Sequence, residues 1–159
     1  MSQPINKPSP KRKYNQYTLQ TTPQEFVADL LQHRVQNVYD THNIFKCMRP
    51  TGVGVHTLTS GYKRTNFRGR KVMVHKLVHR VWSGPTTGDS FDCSHLCGHE
   101  WCCNPKHLHS EPRHLNLSRR GCRAYVNVQG RWFKVCKHTP SCMTTASATP
   151  LQDLPREDG

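Results

Sequence analysis

Between Ser94 and Leu108 the chain packs soft metal ligands at even intervals. Four residues separate Cys97 from Cys102, and four separate Cys102 from His107. A second set follows: Cys122, then Cys136, His138 and Cys142. A structural zinc ion takes four nitrogen or sulfur ligands in a closed tetrahedron. Cys122, Cys136, His138 and Cys142 supply a complete Cys3His set of that kind. Cys97, Cys102 and His107 supply three ligands, and the fourth is open between the local Cys93 and the distant Cys47. Cys103 adjoins Cys102 and is poorly placed to ligate beside it, while His99 and His109 are further candidates. One histidine, His95, lies two positions ahead of Cys97 and belongs to neither set. An imidazole titrates near neutrality, so His95 is a residue that could accept a proton.

The eight cysteines could instead form a disulfide framework in a secreted protein. No apolar leader opens the chain, and the cysteines alternate with histidines at short spacing, which favours zinc. No stretch reaches the ~18 consecutive apolar residues of a membrane span, so an intracellular protein without a membrane partner is expected. Only 34% of the 159 residues are hydrophobic, and the mean hydropathy is −0.77. So thin a core calls for bound metal to supplement it.

Charge points to the partner. The net charge is +13. No acidic residue lies between Asp40 and Asp89, a segment holding Lys63, Arg64, Arg68, Arg70, Lys71 and other bases, and none lies between Pro112 and Gln152. Basic stretches of this length meet nucleic-acid phosphate.

These residues need elements to position them. Residues 1–22, with three prolines and Lys11-Arg12-Lys13, read as a disordered basic arm. A helix is predicted from Pro23 to Val38, capped by Thr22 with Glu25 three residues on. Strands are predicted through Ile44 to Trp82, forming a DNA-binding sheet over about 44–82, with turns at Ser60-Gly61 and Arg68-Gly69-Arg70. Within it, Val74 to Trp82 has helical spacing. Phe91 to Cys97 reads as a strand and Ser110 to Arg120 as a helix capped by Ser110 and ended by Gly121. Gln129-Gly130-Arg131 joins two strands of a hairpin. One domain over 23–142 and a tail over 143–159 follow.

The run Ser94-His95-Leu96-Cys97, then Cys102, Asn104-Pro105 and His107-Leu108, resembles the signature of the His-Cys box homing endonucleases. Cys122, Cys136, His138 and Cys142 match that family's second cluster, and Val78-His79-Arg80 matches ahead of the box. The likeness is nearest to a slime-mould member encoded by a ribosomal-DNA intron. It implies an α+β fold: a zinc-stapled ββα-metal nuclease core, about 91–121, beside an antiparallel DNA-binding sheet, with the second zinc cluster over 122–142. It further implies His95 as general base and Asn116 as the magnesium-binding residue. Cys47 would complete the first zinc site, and Arg68, or alternatively Arg70, would hold the scissile phosphate. Two structural Zn2+ and one catalytic Mg2+ per chain are implied. So are double-stranded DNA and a second copy of the chain as partners, with the C-terminal tail exchanged across the dimer. A eukaryotic host would imply a nuclear location. The implied activity is site-specific, Mg2+-dependent double-strand cleavage. The alternative is a zinc-dependent DNA-binding protein on the same scaffold that does not cut.

Overall fold

The computed structural model describes residues 20–39, 45–85 and 91–146. The basic arm over 1–19 and the tail from 147 lie outside those residues. The fold is mixed α+β, with three short helices and four small sheets among the described residues.

Helix α1, Pro23–His33, begins where the sequence says it should. Thr22 Oγ1 accepts the Glu25 N–H at 3.2 Å, and Glu25 Oε2 accepts the Thr22 N–H at 2.7 Å, a reciprocal capping box. Phe26, Val27 and Leu30 form its buried face. The helix stops at His33, five residues before the predicted end at Val38. Val35–Tyr39 is instead strand β1, paired antiparallel with β2, Lys46–Pro50, so that Val38 faces Cys47. Val35 and Val38 have the helical period, yet they are β-branched, and an available strand partner decides between the two.

Residues 44–82 therefore do not form one sheet. Strand β2 belongs with β1. Strands β3 (His56–Thr57), β4 (Lys63–Phe67) and β5 (Arg70–Met73) make a separate antiparallel sheet. Arg68 and Gly69 form the two-residue turn between β4 and β5, both with positive φ, 51° and 74°. That turn matches strand twist. Helix α2, Val74–Ser83, follows directly, as the valine spacing predicts. Its Val74 and Val78 meet Phe26, Val27 and Leu30 of α1, Phe67 of β4, Cys103 and Leu108 in the main core. The Phe26 and Phe67 rings lie 4.9 Å apart.

Strands β6 (Phe91–His95) and β7 (Leu108–Pro112) pair antiparallel, with His95 opposite Leu108. The loop between them carries three of the first cluster's candidate ligands. The predicted strand to Cys97 ends at His95 because Leu96–Gly98 turns the chain, closed by a Gly98 N–H to His95 C=O bond of 3.0 Å. The predicted helix from Ser110 is shorter, and Ser110 does not cap it. Ser110 and Glu111 pair with Cys93 and Asp92, and α3 covers only Arg113–Ser118, with Pro112 at its cap position. Sheet pairing through Glu111 delays the helix until proline ends the strand.

Strands β8 (Tyr125–Val128) and β9 (Arg131–Lys134) form the expected hairpin over Gln129-Gly130. The region after 142 is not wholly a tail: Thr145–Ala146, strand β10, adds parallel to β8.

Candidate metal centres and nuclease site

The first cluster joins three parts of the chain. Cys47 comes from β2, Cys97 from the turn after β6, and Cys102 and His107 from the loop beyond it. All four are buried, and their ligand atoms lie within 4.8 Å of one another. His107 Nδ1 is 3.6 Å from both Cys47 Sγ and Cys102 Sγ. A tetrahedral zinc with Zn–S of about 2.3 Å and Zn–N of about 2.0 Å separates S and N ligands by ~3.5 Å. The donor set therefore fits zinc. Asn104 holds the loop in this shape. Its Oδ1 accepts the Lys106 N–H at 3.0 Å, capping the single 3-10 turn Pro105–His107, and its Nδ2 donates to the Lys46 carbonyl at 2.8 Å. The Asn104-Pro105 pair thus fastens the loop to the strand that brings Cys47.

Cys93 does not join this cluster. It packs against the main core, and burial pushes its thiol up to about 12. Cys103 is likewise a core residue, its thiol raised by burial and its N–H bonded to the Met48 carbonyl at 2.8 Å.

The second cluster gathers Cys122 after α3, Cys136 after β9, His138 and Cys142. His138 Nδ1 is 3.3 Å from Cys136 Sγ and 3.5 Å from Cys142 Sγ, again the edges a zinc tetrahedron requires. Burial raises the Cys136 thiol, but the backbone N–H groups of Cys142 and His138 outweigh it and bring it down to about 6. In the first cluster Cys102 is held below an ordinary thiol, chiefly by hydrogen bonds from Cys47 and Cys97. Each cluster thus contains a sulfur already disposed to be a thiolate, the form that binds metal.

His95 ends β6 beside the first cluster without entering it. Its Nε2 is 3.0 Å from the carbonyl oxygen of Cys102. A carbonyl only accepts, so Nε2 carries the hydrogen and Nδ1 keeps its lone pair. Burial lowers the pKa of His95, which favours the neutral ring. Asn116, on α3, donates from Nδ2 to Asp92 Oδ2 of β6 at 3.1 Å. That bond turns its Oδ1 away from the carboxylate, leaving it as an acceptor for a hard cation.

Two residues beside these escaped the sequence reading. His75 of α2 stacks on Tyr62 with ring centroids 5.1 Å apart and meets His95 at a tilt, 4.6 Å between centroids. It is 4% exposed, its Nδ1 has no hydrogen-bond partner among the described residues, and burial foremost, then His95, lowers its pKa to about 3. The signal in sequence was present: His75 and His79 are four apart on the apolar side of α2, and both are buried. The second is Asp92 of β6, which accepts from Asn116. Arg68, expected at the phosphate, donates from Nε to the Thr21 carbonyl at 2.7 Å and lies over the Phe67 ring. Arg70 and Lys71 are exposed on β5 beside it. Among the described residues, no hydrogen bond or ion pair ties Arg68 or Arg70 to His95 or Asn116.

The model of the zinc-binding loop region of homing endonuclease matches residues 1–153. The chain belongs to that family. No curated protein matches it. In a homing endonuclease the two Cys3His clusters are zinc-binding features, and family membership implies DNA as the partner and a nuclease-type role. No helix among the described residues is long and apolar enough to cross a membrane.

Proposed function

We propose that this homing endonuclease cuts double-stranded DNA at a specific site by Mg2+-dependent phosphodiester hydrolysis, with His95 as general base. The supporting observation is the His95 Nε2 to Cys102 carbonyl bond of 3.0 Å. It fixes the tautomer in which Nδ1 can take a proton from the attacking water, and it anchors the ring to the loop that zinc would close. Asn116 Oδ1 would hold magnesium, which when bound supplies charge neutralisation at the scissile phosphate and the leaving 3′ oxygen. Asp92 keeps the amide in the useful orientation. Cys47, Cys97, Cys102 and His107 would hold one zinc, and Cys122, Cys136, His138 and Cys142 the other. Neither zinc set has a position left for substrate, so zinc serves as a staple and the hard cation does the work.

The β4–β5 ribbon, with Lys63, Arg64, Arg68, Arg70 and Lys71, would lie in a DNA groove, with Arg68 or Arg70 on backbone phosphate. The protein acts as a homodimer in intron homing, in the manner of the slime-mould enzyme that its box resembles, and works in the nucleus where the host has one.

The test is cleavage-site selection on a random DNA library with Mg2+. Selected cleavage sites with two-fold symmetry are the expected result. The His95→Ala variant should bind the selected site and lose cleavage by 10²-fold or more, about the contribution of a general base. Undiminished cutting by that variant would remove His95 from its role. Binding of DNA by the wild type with no cleavage under any divalent ion would favour the non-catalytic alternative.

A further inference from the structure

Helix α3 carries Asn116 but has little of its own to hold it in place. It is six residues long and buries none of them, and Leu115 and Leu117 are exposed. So short a helix is not stable by itself in water. The Asn116–Asp92 bond and a 3.7 Å Arg113–Asp92 ion pair tie it to β6, and two side chains at its C-terminal end reach the second cluster.

Arg119 is the buried one, with its side chain 5% exposed. Nε donates to Glu111 Oε1 at 2.7 Å and Nη2 to Glu111 Oε2 at 2.8 Å. Nη1 donates to the Pro140 carbonyl at 2.7 Å and to Cys142 Sγ at 3.3 Å. Glu111 in turn accepts the hydroxyl of Ser94, the neighbour of His95 on β6. One guanidinium therefore links the strand of His95, the helix of Asn116 and a cysteine of the second cluster.

Ser118 makes the second tie. Its hydroxyl donates to the Leu115 carbonyl at 2.7 Å, so the 3.0 Å contact to His138 Nε2 is one it accepts. Nε2 then carries the hydrogen and Nδ1, facing Cys136 and Cys142, is the ligand atom. Both bonds thus end on side chains whose positions depend on the metal.

We infer that the second zinc cluster governs magnesium binding at Asn116 through Arg119 and Ser118, which act as positioning residues. A zinc-loaded cluster fixes Cys142 and His138. These fix the C-terminal end of α3, and the helix presents the Asn116 amide to Asp92. Loss of zinc frees Cys142 and His138, so that α3 keeps the Arg119–Glu111 pair but loses its two ties to the cluster, and the Asn116 amide is held less firmly. The step to magnesium rests on the reading of Asn116 proposed above; the mechanical step from cluster to helix does not.

The test compares full-length wild type with Cys136→Ser, whose sulfur contacts His138 and Cys142 but neither Arg119 nor Ser118, and with Arg119→Lys and Ser118→Ala. Zinc content, hydrogen exchange over 113–122 and the Mg2+ concentration for half-maximal cleavage are measured for each. Cys136→Ser should hold one zinc, exchange faster over 113–122, and need about tenfold more Mg2+. Arg119→Lys should keep two zincs and show the same two changes. Where Arg119→Lys fails to fold, Ser118→Ala decides, with two zincs and a smaller rise in both readouts. Unchanged exchange over 113–122 after loss of the second zinc would overturn the coupling, as would faster exchange with no change in Mg2+ requirement. A wild type that cuts no DNA would reject the nuclease reading alone, and the exchange measurements would still decide whether the cluster holds the helix.

Discussion

Replacing Cys47 by serine should release the first zinc, whereas replacing Cys93 should not. The two cysteines are equally plausible ligands by type, but only Cys47 places its sulfur 3.6 Å from His107 Nδ1. The bridge from Cys47 to His107 spans 60 positions. Closing a loop of that length in the unfolded chain is worth about 4 kcal/mol on the chain-entropy model. A zinc link that persists in the unfolded chain stabilises on that scale, and one that forms only on folding contributes its binding free energy instead. The total stability of a domain is only about 5–15 kcal/mol. Cys47→Ser should therefore lower the unfolding midpoint by ~10–20 °C and, after dialysis against a mild chelator, leave one zinc where the wild type keeps two. Cys93 sits in the apolar core with a thiol held neutral. Serine there adds a hydroxyl without a hydrogen-bond partner, costing about 1–3 kcal/mol, with both zincs retained. Elemental analysis and thermal unfolding in excess zinc measure both quantities. Two tightly held zincs in Cys47→Ser, or the loss of one in Cys93→Ser, would refute the assignment.

The remaining predictions concern the residues around the base and the amide. His75→Ala should reduce cleavage by about tenfold or more, since a reacting group displaced by even 1 Å can lose that much, while His75→Phe, which restores a ring against His95, should recover most of it; equal activities for the two variants would count against the ring contact. Asp92→Ala should raise the Mg2+ requirement by about tenfold with little change in DNA affinity, read from Mg2+ titrations of cleavage beside binding assays. Burial opposes ionisation of Glu111, but Arg119 and Ser94 hold its carboxyl below the ordinary value. Its contribution to stability is therefore present above the unfolded pKa, about 4.3, and is lost as pH falls through the lower folded value. Glu111→Gln should destabilise the fold at pH 7 and flatten that acid dependence; an unchanged acid profile would show that Glu111 does not carry it.

Much of the local structure was legible because its causes are local. The Thr22–Glu25 capping box, the Arg68-Gly69 and Gln129-Gly130 turns and the valine spacing of α2 each depend on neighbouring residues, and each appears where the sequence puts it. The ends of elements were less legible. Helix α1 stops at His33 because β2 offers Val35–Tyr39 a partner, and α3 starts late because Ser110 and Glu111 pair with β6. Neither partner is near in sequence, so propensity and caps could not reveal it.

The same division runs through the site. Short spacing along one loop sets Cys97, Cys102 and His107 apart as ligands, and Cys136, His138 and Cys142 likewise, because residues a few positions apart must meet when the chain turns around a metal. His95 stands out because it precedes such a set without being needed by it. Choosing Cys47 over Cys93 took the tertiary structure, since a strand register 60 positions away delivers the sulfur. So did finding His75 against His95, Asp92 against Asn116, and Arg119 between Glu111 and Cys142. The sequence by itself determined which side chains could bind metal or take a proton. The tertiary structure decided which of them share a site, because contact across elements depends on pairing and packing that no short stretch of chain encodes.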